Sequence, residues 1–124
     1  MYTARLNVNQ EKPRAALWEA VKRLRLLALP TDGRLVRVRV IRKMPADRLG
    51  DCSRYSDHYL IRLSADVVAD YPDALSLLLA HEWAHALVWE HCVHNHGDAW
   101  GIALAKAWRI ITGEVSLGDI NAMD

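Results

Sequence analysis

The 124-residue chain has only two cysteines, Cys52 and Cys92, well separated in sequence. Two cysteines cannot build a four-cysteine zinc ribbon, and their separation makes unpaired thiols the expectation in a reducing compartment. Long apolar runs are also missing: no stretch approaches the roughly 18 uninterrupted apolar residues of a membrane span. The N-terminus, Met1-Tyr2-Thr3-Ala4-Arg5, lacks the apolar segment of a secretory signal. These absences lead us to expect a soluble cytoplasmic protein that does not use a membrane. No internal repeat or low-complexity tract is visible. With 52% apolar and 25% charged residues, disorder is not the expectation. The length fits one domain, residues 1–124, with no material for a second core.

The net charge of +1 hides an asymmetry. Residues 1–63 carry 14 Lys/Arg against 6 Asp/Glu, a balance of +8, whereas residues 64–124 carry 2 against 9, a balance of −7. A basic half suits a nucleic-acid-facing surface, because cations neutralise phosphates. Mutual attraction of the two halves across one folded domain explains the same split equally well.

Local patterns divide the chain into a helix, about three strands and two further helices. From about Asn9 to Ala28, Leu17, Val21, Leu24 and Ala28 recur at spacings of three and four, the stripe of an amphipathic helix. Pro30 and Thr31-Asp32-Gly33 end it and turn the chain. Residues 34–42 alternate: Val36, Val38 and Val40 share one face, and Arg37 and Arg39 the other, so a half-buried strand with a basic outer face is expected. Asp51 to Tyr55 and Tyr59 to Leu63 read as short strands joined by a turn at Ser56-Asp57-His58. Asp70-Tyr71-Pro72-Asp73 carries helix-start features, and an apolar stripe from Leu75 through Leu78, Leu79, Ala86 and Trp89 predicts a helix ending near Cys92. Asp98 is placed to cap a last helix whose Trp100, Leu104, Ala107, Trp108 and Ile111 share a face, until Thr112-Gly113 stops it. Trp83, Trp89, Trp100 and Trp108 read as core aromatics. Segregated helices and strands mean an α+β fold with an antiparallel or mixed sheet of about three strands, mostly antiparallel.

The chemistry concentrates in His81-Glu82-Trp83-Ala84-His85. Residues four apart lie one turn apart on the same side of a helix, so His81 and His85 can direct two imidazoles at one ion. Glu82 projects about 100° around the helix from His81, within reach of a water on that ion rather than of the ion itself. Zinc with an open position and an adjacent carboxylate is the arrangement of HExxH zinc peptidases. Burying two histidines and a glutamate without a shared purpose would be costly.

A third protein ligand is required, and four residues compete for the place. His91 has the spacing of the pattern HExxHxxGxxH, but Val88 stands where that pattern bends at glycine, and Met123 alone is left downstream for a Met-turn. Cys52 in Asp51-Cys52-Ser53 is similar to the cysteine ligand of peptide deformylases, though their glycine-rich segments are missing. His94 and His96 lie just past the expected helix end, and His96-Gly97 immediately precedes the last helix.

His81-Glu82-Trp83-Ala84-His85-Ala86 followed by His96-Gly97-Asp98-Ala99-Trp100 resembles the SprT-like, or Spartan-type, zinc metallopeptidases, which show HExxHA and then HGxxF or HGxxW. Cys52-Ser53-Arg54-Tyr55 and Tyr59-Leu60-Ile61-Arg62-Leu63-Ser64 are similar to the strand pair that precedes the active helix there. The resemblance covers roughly Arg34 to Trp108. It implies a zincin-like fold, Zn2+ bound by His81, His85 and His96, Glu82 as general base, and hydrolysis of protein or peptide substrates. The family's zinc ribbon and its DNA- and partner-binding tails have no counterpart in this sequence, so a minimal catalytic domain is expected. Action on DNA-associated proteins is implied by resemblance, with Arg37 and Arg39 as the local feature that fits it. The residues also admit a non-catalytic, zinc-stabilised module that binds DNA or a protein, and a deformylase or amidase using the same metal chemistry. Tyr55, His58, Tyr59 and His94 are open candidates for stabilising an oxyanion.

Overall fold

The structure is a computed structural model that describes residues 2–45, 48–66, 72–92 and 96–114, with side chains described outside 2–14, 72–73 and 91–92. Helix α1 spans Tyr2–Leu27, longer at its N-terminal end than the periodicity indicated. Strands β1 (Leu35–Ile41), β2 (Gly50–Arg54) and β3 (His58–Ser64) follow, then helices α2 (Pro72–Leu87), α3 (Trp89–Cys92) and α4 (Asp98–Ile111). The fold is α+β. Asp70 and Tyr71 of the expected helix start lie outside the described residues.

The sheet has the order β1-β3-β2. The hairpin partner β2 runs antiparallel to β3, closed by Tyr55 N–H donating to the His58 carbonyl at 2.8 Å. β1 pairs parallel with β3, so the sheet is mixed, with one pair of each kind, rather than mostly antiparallel. A parallel pair ordinarily needs a long crossover. Here β2 supplies the return: the chain leaves β1, runs back along the far edge and re-enters between the two as β3. The short connection between β1 and β2 therefore only has to span the end of the sheet.

Register assembles the core. Val36, Val38 and Val40 stand opposite Tyr59, Ile61 and Leu63, and all except the half-buried Val40 are buried. Arg37 and Arg39 are exposed on the opposite face, as the alternation requires. Leu17, Val21 and Leu24 of α1 and Ala28 just after it are each no more than 1% exposed and join this core with Leu75, Leu79, Ala80 and Trp83 of α2. Trp83 is fully buried and its indole N–H donates to the Ala28 carbonyl at 2.7 Å, which fastens the middle of α2 to the end of α1. Gly50 is required by close approach: a Cβ there would lie 2.9 Å from the Arg62 carbonyl oxygen and 3.3 Å from the Leu78 side chain. Among the described residues β1 is an edge strand, and the Arg25 guanidinium donates to its Val36 carbonyl at 3.1 and 3.2 Å, covering part of that edge.

Helix α4 starts from Gly97, with no side-chain cap; Asp98 is its first helical residue and not its cap, where its charge suits the helix dipole. It ends as expected at Thr112-Gly113. Gly113 at φ +83° and Glu114 return N–H groups to the carbonyls of Ile110 (3.2 Å) and Arg109 (2.9 Å), a Schellman ending. Its core face is Ala103, Ala107 and Ile110, rotated from the predicted stripe, and Trp108 is 38% exposed rather than core.

Tyr59 anchors the start of β3. Its buried hydroxyl donates to Asp32 Oδ2 at 2.6 Å, and Asp32 also accepts from the Arg34 backbone N–H at 3.0 Å and its guanidinium at 2.7 Å. Burial and the neighbouring carboxylate push the Tyr59 phenol up to about 12. Burial alone would raise the Asp32 carboxyl, but these hydrogen bonds outweigh it and hold it below its usual value. A carboxyl lowered on folding stabilises the fold above its unfolded pKa, and that stabilisation is lost as pH falls through the folded value. Asp32→Asn is therefore expected to lower the urea midpoint at pH 7, with the difference from wild type shrinking below about pH 4. A difference that does not change with pH would remove this account.

Candidate metal centre and cleft

His81 and His85 project from α2 one turn apart, and His96 reaches them from the two residues that precede α4. One ring nitrogen from each lies within 4.8 Å of the others, with His85 Nε2 and His96 Nε2 only 3.0 Å apart. Two nitrogens bound tetrahedrally at roughly 2.05 Å would be about 3.3 Å apart, so small side-chain adjustments bring all three to one ion. The three histidines therefore lie close enough to bind a metal ion. Burial is the main force holding the His81 and His85 imidazoles towards their neutral, ligating form, with the neighbouring histidines adding to it; His85 falls to about 4.

Trp100 organises the cluster. In the first turn of α4, its ring centroid lies 4.4 Å from that of His96, 4.9 Å from His81 and 5.8 Å from His85. Its indole N–H donates to the His81 carbonyl at 3.3 Å, tying α4 to α2 beside the ligands. It is thus not simply a core aromatic. The available signal was the run His96-Gly97-Asp98-Ala99-Trp100, which sets the tryptophan in the first turn of the helix that His96 immediately precedes.

Glu82 is 5% exposed, while the intervening Trp83 and Ala84 turn fully into the core. Burial first, and then repulsion from Asp51, raises the Glu82 carboxyl to about 7. A divalent cation beside it would favour the charged form. With His85 it lines a cleft of about 250 Å³, completed by Arg48, Gly50, Asp51, Cys52 and Trp89. β2, an edge strand among the described residues, forms one wall. Trp89, past the turn at Val88 that separates α2 from α3, forms another, and its ring also meets Tyr59 at 5.8 Å. Sequence reasoning missed Arg48 and Trp89 as lining residues, because neither carries a local motif.

The other ligand candidates are placed elsewhere or lie beyond description. Cys52 lines the cleft but is not among the described clusters able to hold a metal. His91 falls in α3 with its side chain outside the described set; the side chain of Cys92 and all of His94 and Met123 are outside it too. Of the proposed oxyanion donors, Tyr59 gives its hydroxyl to Asp32, and Tyr55 and His58 stack on each other at 4.8 Å at the hairpin tip; none lines the cleft. Among the described residues no helix is long and apolar enough to cross a membrane. Comparison of the chain with protein-family models, curated proteins and solved structures finds no match.

Proposed function

We propose that this protein is a zinc-dependent metallopeptidase of SprT-like type with a zincin-like fold. The observation that carries the reading is the convergence of His81, His85 and His96, with His85 lining the same cleft as the buried Glu82. The resemblance in His81–Ala86 and His96–Trp100 supports it. When bound, zinc supplies a Lewis acid that polarises a carbonyl and lowers the pKa of a water in the open position. His81, His85 and His96 hold the ion, and Trp100 holds the rings in place. Glu82 accepts the proton of the attacking water and returns it to the leaving amine, as its position one residue from a ligand allows. β2, at the edge of the described sheet, forms the wall of the cleft along which an extended substrate would lie with its carbonyl towards Glu82.

The test is metal content together with hydrolysis of an unfolded protein. One zinc per chain, activity abolished by a chelator and restored by zinc are expected. Zinc-free protein that cleaves equally well would overturn the proposal. Exposed Arg37 and Arg39 on the outer sheet face favour an additional reading, in which DNA or DNA-bound protein meets this face, with or without catalysis. DNA affinity should then fall steeply with added salt and weaken in the Arg37→Ala/Arg39→Ala double variant. Absent or salt-insensitive binding would remove DNA from the account.

A further inference from the structure

We infer that Arg48 is a specificity-determining residue that receives a substrate carboxylate beside the hydrolysed bond; this rests on the peptidase reading. Apart from the histidine, Arg48 is the one basic residue among those described as lining the cleft, and its side chain is 61% exposed. Among the described residues it is paired only with Asp51, Nη1 lying 3.9 Å from Oδ2, beyond hydrogen-bonding distance. Asp51 is already engaged by Arg62, whose Nε donates to Oδ1 at 2.9 Å while Nη2 meets Oδ2. The single charge of Asp51 is therefore shared between two guanidiniums, closely with Arg62 and at longer range with Arg48.

Several other arginines are engaged. Arg25 donates to the Val36 carbonyl, Arg34 to Asp32 and to the Tyr55 carbonyl, and Arg54 pairs with Glu90. Arg48 alone among these keeps its side-chain donors without a hydrogen-bond acceptor among the described residues, and it does so at the mouth of the cleft that contains Glu82. A planar guanidinium with open donors matches a carboxylate in a two-point contact. Glu82 is buried at the back of the cleft, so a substrate carboxylate held by Arg48 stays at the exposed mouth, away from it. Trp89 on another wall provides apolar surface for the rest of the substrate.

The carboxylate has two sources, an acidic side chain or the substrate's own C-terminus. Two peptide pairs separate them: one differing only by Glu against Gln near the cleavage position, the other by a free against an amidated C-terminus. Affinities are measured by fluorescence anisotropy on zinc-loaded Glu82→Gln protein, with and without Arg48→Ala or Arg48→Glu, so that binding is read without turnover. The charged member of one pair should bind about 5-fold more tightly, the scale of a partly exposed ion pair. Arg48→Ala should erase that preference and Arg48→Glu reverse it, while urea midpoints stay unchanged because the side chain is exposed. Equal affinities in both pairs, or a preference that survives Arg48→Ala, would overturn the inference. If the preference depends on Arg48 but wild-type protein hydrolyses neither peptide, the carboxylate site stands and the peptidase reading falls.

Discussion

Glu82→Gln is expected to lower the rate of peptide hydrolysis by at least about 100-fold while one zinc stays bound per chain, the scale of losing a general base. The substitution is close to isosteric, and Glu82 is 5% exposed within a well-packed helix. A neutral amide at a buried position costs less desolvation than a carboxylate, so the fold should be retained and the loss cannot be assigned to unfolding. Glu82 lies outside the cluster of three imidazoles, and metal content should therefore not change. The decisive comparison is turnover at saturating substrate alongside metal analysis on the same preparations. Equal turnover in the two proteins would show that hydrolysis arises elsewhere. Inactivity of both with zinc retained would favour the zinc-stabilised binding module.

His96→Ala is expected to weaken zinc binding by at least about 100-fold, since two imidazoles from one helix leave the ion a ligand short. His96 is exposed, so the metal-free variant should keep the wild-type urea midpoint. Its partner His85 Nε2 stands 3.0 Å away, which makes loss of the pair directly visible in the metal competition. His91→Ala and Cys52→Ser serve as comparisons and should hold zinc like the wild type. Loss of metal in Cys52→Ser with retention in His96→Ala would replace the proposed ligand set with one built across β2 and α2. Competition against a chromogenic chelator measures all four proteins under the same conditions.

Much of this arrangement was legible in the residues because it depends on local geometry. The spacing of Leu17, Val21, Leu24 and Ala28 marks a buried helix face, and the alternation around Val36 to Val40 marks a strand with Arg37 and Arg39 outside; both follow from backbone periodicity alone. The convergence of His81 and His85, with Glu82 set apart, follows from the same helical repeat. So does the end of α4 at Thr112-Gly113, where glycine adopts a conformation that other residues resist.

Tertiary packing decided the rest. Nothing local makes β3 insert between β1 and β2, since pairing order depends on which edges bury most apolar surface together. Trp83, Trp89, Trp100 and Trp108 look alike as apolar residues on helices. One fills the core, one walls the cleft, one braces the histidines and one stands partly in solvent, according to what each helix face meets. The presentation of His81, Glu82 and His85 by one helix was determined by sequence. His96 had its place only by resemblance until α4 packed against α2, because contact between residues on different elements is set by long-range burial and not by spacing.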